Sequence, residues 1–237
     1  PKSKTVLYLN NLAAKAFQKI YKTKRQDTNR FVYFWKTEVP LIVYEYRRYV
    51  AYAFIVFLSF VAIGALSAEF DDSFVRLVLS DGYVNETLEN IEKGDPVAIY
   101  KSGSNWGSAF GITLNNLYVG ITSFVLGIFG GLGTGYILME NGIMVGSFQY
   151  MFVKEDVFWE SVRGIWIHGA MEIFAIVIEG AAGFILGASI LFPKTFSRMT
   201  SFKRGVKIGV KILISTFPFT IAAGVLEGYV TRYSNVM

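Results

Sequence analysis

The sequence contains no cysteine and a single histidine, His168, so it holds no disulfide, no thiolate metal site and no cysteine nucleophile. Charge is also scarce, since 17% of the residues are charged whereas 53% are hydrophobic. The charged residues are gathered in a few segments. Soluble domains of this length rarely combine these features. The scarcity of charge therefore indicates a membrane protein.

Charged residues are missing from several stretches of about 20 apolar residues, the length that a helix needs to cross roughly 30 Å of hydrocarbon. These stretches do not alternate between apolar and polar residues, which excludes a transmembrane barrel. We therefore expect an all-α, polytopic helical membrane protein. The first stretch begins near Val50, too late for a cleaved signal peptide, so we expect a retained first span.

Basic residues are concentrated in residues 1–48, which contain eleven Lys or Arg and three Asp or Glu. Apolar positions near the start of this arm repeat with helical spacing, and the lysines lie largely off that face. Such a basic amphipathic helix either lies on an anionic membrane surface or packs on the protein's own membrane domain, and both interpretations stay open. The apolar positions are Leu9, Leu12, Ala13, Ala16, Phe17 and Ile20.

The distribution of Lys and Arg predicts the orientation of the chain in a cell membrane. Residues 69–108 carry eight acidic and three basic side chains, whereas residues 193–207 carry five basic and no acidic ones. The positive-inside rule places the arm and the 193–207 segment in the cytoplasm and the 69–108 segment outside. We predict five crossings in the inner or cytoplasmic membrane, with the N-terminus cytoplasmic and the C-terminus extracytoplasmic.

The boundary between the second and third spans has two candidates. The chain from Phe110 to Val153 contains one charged residue, Glu140, and is long enough for two crossings. Either the glycines at 130, 131, 133 and 135 form the turn, or Glu140-Asn141-Gly142 does. Asn-Gly is the stronger turn signal, because both residues tolerate positive φ. We therefore place the turn there, ahead of Gly146, which leaves a short or broken third segment.

These expectations divide the chain into the arm, 1–48, and a helical membrane domain, 49–237. The extracytoplasmic loop covers 69–108. The predicted spans are 50–68, 109–138, 142–156, 165–192 and 208–229.

Glycines recur at a spacing of four residues in the second and fourth spans. Such ridges let membrane helices approach closely, because small residues bring the two backbones together. We expect these glycines to pack helices within one subunit, and a homo-oligomeric interface is the alternative. The glycines concerned are Gly127, Gly131, Gly135, Gly183 and Gly187.

Three ionisable residues, His168, Glu172 and Glu179, share one stripe of the fourth span. A charged residue in mid-bilayer costs roughly 3 kcal/mol on translocon scales, so these side chains should face the bundle interior or a wet cavity. Asn115 and Asn116, at comparable depth in the second span, are the expected partners. The polar network serves either as a hydrogen-bonded latch between the two helices or as a proton or ion pathway.

The sequence contains no recognisable catalytic, metal-binding or cofactor-binding motif. His168 and Glu172 have metal-ligand spacing, but no second histidine or matching helical pair accompanies them, so we predict no metal site. No phosphate-binding loop or dinucleotide fingerprint occurs. We expect no catalytic residue, no cofactor, no enzymatic activity and no nucleic-acid partner. Lys211 and Glu227 lie near span ends, where their side chains can reach the interface.

Four motifs follow one another between about residues 108 and 193. They are Asn115-Asn116, Asn141-Gly142-x-x-x-Gly146, His168-Gly169-x-x-Glu172 and Gly180-Ala-Ala-Gly183-x-x-x-Gly187. In this order, and with the glycine-rich stretch between the first two, they resemble the stage II sporulation protein M family of polytopic membrane proteins. Glu179 stands where small or apolar residues are expected in relatives.

The resemblance implies a membrane scaffold. The best-known member of the family works in endospore engulfment, where it is thought to hold two peptidoglycan-degrading enzymes in one envelope complex, and relatives occur in organisms that form no spores. We therefore expect a non-enzymatic anchor for other membrane or envelope proteins. The alternative is a component of a transporter or channel for protons, ions or lipid, because broken helices and buried carboxylates are common at transport sites.

Overall fold

The computed structural model describes residues 3–20, 29–101 and 105–231, and these residues form helices and short connections without any strand. The prediction of an all-α polytopic protein is confirmed for this part of the chain. A π-helical turn covers Phe34–Glu38 and a 3₁₀ turn covers Ala98–Lys101. The α-helices are α1 (Lys4–Ile20), α2 (Arg30–Tyr33), α3 (Val39–Glu45), α4 (Arg47–Phe70), α5 (Asp72–Leu79), α6 (Asp81–Glu92), α7 (Asn105–Leu126), α8 (Leu132–Lys154), α9 (Phe158–Leu191) and α10 (Arg198–Tyr229).

Helix α1 exposes its apolar face. All side chains described in it, up to residue 17, are exposed, including 55% of Leu9 and 53% of Leu12. The later part of the arm is different, because Ile42 and Tyr46 pack into the core beside α10, and Lys211 forms an ion pair with Glu38. The exposed face of α1 favours the membrane-surface interpretation for α1 alone.

Four of the described helices are long and apolar enough to cross a membrane: α4, the 109–126 part of α7, α9 and α10. The chain is thus a multi-pass membrane protein. Helix α8 has 23 residues, a length of about 34 Å at 1.5 Å per residue, so it also has the reach of a crossing helix. Its polar residues, which include Glu140, Asn141 and Gln149, leave it without a membrane-length stretch as apolar as those of the other four.

Helix α8 runs parallel to α4 and antiparallel to α9. Gly142 packs against Phe57, and Gly146, one turn later, packs against Val61, so the two helices advance together. Against α9 the order of contacts is reversed. Leu138 of α8 contacts Gly180 of α9, whereas Gln149, later in α8, donates a hydrogen bond to Ser161, earlier in α9.

Helix α7 is antiparallel to α10, and α9 is antiparallel to α10 as well. Phe124 of α7 lies against Gly209, while Thr113 lies against Gly224. The five long helices α4, α7, α8, α9 and α10 therefore alternate in direction along the chain. This alternation is the geometry that five crossings require. It places residues 71–101 and 155–157 at one end, called the outer end, and residues 127–131 and 192–197 at the other, called the inner end.

The turn between α7 and α8 lies at the glycines and not at Asn141-Gly142. Gly130 and Gly131 have positive φ values of 68° and 87°, in the region that favours glycine. Glu140, Asn141 and Gly142 lie inside α8, which continues to Lys154. The predicted turn is therefore wrong, and so are the bounds 109–138 and 142–156 and the short or broken third segment.

Packing explains why Asn141-Gly142 remains helical. The Asn141 amide donates a hydrogen bond to the carbonyl oxygen of Ile137 at 2.8 Å, which satisfies the side chain within the helix. Gly142 has no room for a side chain, since a Cβ there would lie 2.8 Å from the carbonyl oxygen of Phe57. The glycine is required for close helix approach and not for positive φ.

The 69–108 segment is mostly helical, although the sequence predicted a loop. Asp71 caps α5 by accepting a hydrogen bond from the backbone N–H of Ser73 at 2.9 Å, and the hydrogen bonds from Ser73 lower the pKa of the Asp71 carboxyl. Helices α5 and α6, called the α5–α6 layer, pack on the outer ends of α8 and α9. Their shared core contains Val75, Val84, Val97, Met151, Phe152 and Ile165.

Candidate functional site

A cavity of about 560 Å³ lies between α7, α8, α9 and α10 at the outer end of the bundle. Its volume falls in the range of small-molecule binding sites. Val78, Leu79 and Tyr83 of the α5–α6 layer line the outer side of the cavity. The polar lining residues are Asn115, Asn116, Asn141, Gln149, His168, Glu172 and Glu227.

Asn116 and Glu172 meet inside this cavity. The Asn116 amide nitrogen lies 2.5 Å from the Glu172 Oε1, to which it donates a hydrogen bond. This pairing is possible because α7 and α9 run parallel, which brings the two positions to the same depth. Asn115 also lines the cavity, beside Asn116. Since His168 lines the cavity as well, the structure brings together four of the five residues that the sequence proposed as a polar network.

His168 is buried and contacts two residues from the last turn of α10 and beyond. Its Nδ1 lies 2.8 Å from the Thr231 hydroxyl, and its Nε2 lies 3.7 Å from a carboxylate oxygen of Glu227. Glu227 is only 8% exposed. The expectation that Glu227 reaches out to the interface is therefore wrong, because the antiparallel packing of α10 turns this carboxylate toward α9.

Three potential ligand atoms converge at this point. One ring nitrogen of His168 and one carboxylate oxygen from each of Glu172 and Glu227 all lie within 4.8 Å of one another. The first two residues occupy successive turns of α9, and the third comes from α10. The site is therefore built by the contact between two helices and not by one helix alone.

Glu179 belongs to a separate contact. It lies seven residues beyond Glu172, about 10 Å further along α9, and does not line the cavity. Its Oε1 accepts a hydrogen bond from the Thr216 hydroxyl at 2.6 Å. Its Oε2 is buried without a hydrogen-bond partner, against Gly120, where a Cβ would clash with the carboxylate. The single stripe proposed from the sequence thus divides into two sites.

Two cavity residues on α8 were missed from the sequence. Asn141 was assigned to a turn, and Gln149 was given no role. The Gln149 amide donates to the Ser161 hydroxyl at 2.9 Å, and its carbonyl accepts from the Trp166 indole at 2.8 Å. The two residues lie eight positions apart, which places them on one helical face. Treating 132–154 as one helix would have revealed this spacing.

Glycines pack closely near the inner end of the bundle. Gly127 lies against the backbone of Gly183, and Gly187 lies against the backbone of Gly131, so the α7–α8 turn and α9 touch without intervening side chains. These are contacts within one chain. Gly135 differs from the other four, because no atom lies within 4 Å of a Cβ built there. Near the inner end, these contacts leave no room for side chains between the α7–α8 turn and α9.

The cavity chemistry suits a small polar or cationic solute. Carboxylates and the imidazole can coordinate or neutralise a cation, and the amides of Asn and Gln offer both donors and acceptors. Apolar side chains such as Val119 and Ile173 also line the cavity. The cavity thus brings ionisable and amide side chains together within the bundle.

Comparison with known proteins supports the family suggested by the motifs. The family model SpoIIM, stage II sporulation protein M, matches residues 53–232, a range that includes every polar residue lining the cavity. A search of curated proteins and a search of solved structures each gave no match. The chain belongs to the stage II sporulation protein M family.

Proposed function

We propose that this protein binds a small polar or cationic solute in its outer cavity as a component of a membrane transport unit. The observation that carries the proposal is the cavity itself, with His168, Glu172 and Glu227 converging on it. A latch between α7 and α9 needs only the Asn116–Glu172 hydrogen bond. It would not need a space of about 560 Å³ lined by further polar groups. Buried ionisable groups are costly within a membrane, so their retention around a cavity supports binding.

The two ends of the bundle differ in a way that fits transport. The cavity lies at the outer end, whereas Gly127 packs against Gly183 and Gly131 packs against Gly187 near the inner end. In this proposal the structure corresponds to an outward-facing state. Release to the opposite side requires the α7–α8 turn and α9 to separate at these glycines.

Flux measurements on reconstituted protein test this function. We expect the Glu172→Gln variant to lose about 10-fold or more of the proton or cation flux shown by the unaltered chain in proteoliposomes, because a hydrogen-bonded charge at the site is removed. Glu140→Gln is the matched control, since Glu140 lies on the exposed side of α8. Folded protein that carries no protons, cations or lipid under any gradient would contradict the proposal.

A scaffold remains the second candidate, and the α5–α6 layer favours it. This layer is held on the bundle by a hydrophobic core and presents a defined acidic surface, as a docking platform would. The exposed acidic residues are Asp72, Asp81, Glu86, Glu89 and Glu92. The role in envelope complexes implied by the family supports the same function, and both candidates are non-enzymatic.

Crosslinking in native membranes at natural expression level tests the scaffold. Envelope proteins recovered reproducibly on residues 69–108 would support it. Repeated recovery of the chain with no partner would contradict it and would favour transport.

We also propose that the outer end is extracytoplasmic and that the arm is cytoplasmic, in the cell membrane. Because the chain has no cysteine, single-cysteine variants report the topology directly. In intact cells we expect a membrane-impermeant maleimide to label Glu86→Cys, an exposed position on α6, and not Lys203→Cys, an exposed position on α10. Labelling of Lys203→Cys alone would reverse the assignment.

A further inference from the structure

We propose that His168, Glu172 and Glu227 form a binding site for a divalent transition-metal ion of the zinc class. The inference rests on the proposed function and names the ligand of its cavity. The sequence alone indicated only two ligands, His168 and Glu172, which are too few to form a zinc site. The fold supplies the third ligand, Glu227, by packing the outer end of α10 beside the start of α9.

The separations of the ligand atoms are close to those of a metal site. Zinc binds imidazole nitrogen and carboxylate oxygen at about 2.0–2.2 Å, so ligands at tetrahedral positions lie about 3.4 Å apart. The His168 Nε2 and the Glu227 Oε2 are 3.7 Å apart, and the three ligand atoms all lie within 4.8 Å of one another. If the glutamate side chains rotated so that their oxygens moved by about 1 Å, the ligand atoms would reach the separations of a zinc site.

Charge supports a cation at this position. Two carboxylates close together in a water-poor site repel each other unless a cation or a proton compensates them. From the described parts of α7, α8, α9 and α10, no Lys or Arg lines the cavity to provide that compensation. A divalent ion would balance Glu172 and Glu227 with one charge each and would use the neutral imidazole as a ligand.

The ligands have partners that would orient them. The Thr231 hydroxyl lies 2.8 Å from the His168 Nδ1, which leaves the Nε2 directed toward Glu227. Asn116 donates to one oxygen of Glu172, so the other oxygen is available to a metal. Such outer hydrogen bonds fix ligand geometry in metal sites.

Three protein ligands leave one tetrahedral position open toward the cavity. Structural zinc sites are usually closed by four protein ligands, whereas sites that exchange water or solute keep an open position. This arrangement suits an ion that is held reversibly, either as the transported species or together with a solute in the cavity. The ion is therefore expected to exchange with zinc in solution.

Zinc titration of the full chain in nanodiscs, after treatment with a chelator, tests the site. We expect one Zn²⁺ per chain, and X-ray absorption should show nitrogen and oxygen ligands at about 2.0–2.2 Å. Thr231→Val should weaken the affinity by roughly 10- to 100-fold, and Glu227→Gln should weaken it further because a ligand is lost. Glu179→Gln is the matched control, since this buried carboxylate of α9 lies outside the cavity, and it should bind zinc unchanged.

Thermal unfolding of each variant shows whether the variant is folded. The X-ray absorption spectrum of the unaltered chain tests the ligand set without any substitution. Absence of zinc binding, or equal binding by folded Glu227→Gln, would overturn the metal site. Absence of zinc binding in protein that still shows flux after chelator treatment would overturn the site while leaving the transport function intact. Zinc bound in the expected geometry without any flux would support the site and refute transport.

Discussion

Replacing Gly183 with leucine is expected to prevent assembly of the membrane domain. A Cβ at this position would lie 2.7 Å from the backbone carbonyl oxygen of Ser123 and would clash with the Thr134 hydroxyl. That hydroxyl donates a 2.7 Å hydrogen bond to the same carbonyl. Because the obstacle is partly backbone, the neighbouring helix itself must move. We expect a cost above about 3 kcal/mol, at the upper end of overpacking effects, out of a total stability of about 5–15 kcal/mol.

Gly135→Leu is the matched control for this substitution. Both variants gain the helix propensity that glycine lacks, but a Cβ at Gly135 meets no atom within 4 Å. The measurement is the yield of monodisperse protein after detergent extraction, followed by the thermal unfolding midpoint. Gly135→Leu should resemble the unaltered chain. A similar result for Gly183→Leu would show that the α7–α9 contact is not close-packed.

The family and the helical membrane architecture could be predicted because they depend on local features. Long apolar stretches require helices in lipid, whatever their partners are. The motifs from Asn115 to Gly187 are likewise read directly from the chain. The pairing of Asn116 with Glu172 could also be proposed, since both are polar residues at comparable depth in their spans.

The turn could not be placed, because Asn141-Gly142 and Gly130-Gly131 are both acceptable turn sequences. The choice depends on which glycine needs positive φ and which one needs a close neighbour. Gly142 is packed against Phe57 of α4, a contact between residues far apart in sequence. Local turn propensity contains no information about that contact. Here tertiary packing overrides the turn propensity of Asn141-Gly142.

The candidate site was incomplete for a related reason. Depth in the membrane follows from sequence position, but the rotation of each helix about its axis follows from packing. Glu227 near the end of a span is compatible with either an interfacial or a buried side chain, and only the antiparallel contact of α10 with α9 buries it. Glu179 shares a stripe with Glu172, yet Gly120 and Thr216 form a different environment around it.

Phe152→Ala is expected to loosen the α5–α6 layer from the bundle. Phe152 is fully buried, and its ring stacks edge-on against Phe148, with the ring centroids 5.0 Å apart. Removing such a side chain typically costs about 3–5 kcal/mol. The layer also has an ion pair between Lys154 and Asp72, but these side chains are largely exposed, and surface pairs contribute about 0–1 kcal/mol. The hydrophobic contact should therefore decide whether the layer stays in place.

Hydrogen exchange of residues 72–92 measures this loosening. We expect faster exchange in Phe152→Ala and no change in Leu77→Ala, a control on α5 that is 82% exposed. Unchanged exchange in Phe152→Ala would show that other contacts hold the layer.

Phe148 connects Phe152 to Tyr83, and both Phe148 and Tyr83 line the cavity. Loss of the layer should therefore open the outer wall of the cavity and weaken the solute binding that we propose for it, whereas Leu77→Ala should leave both unchanged.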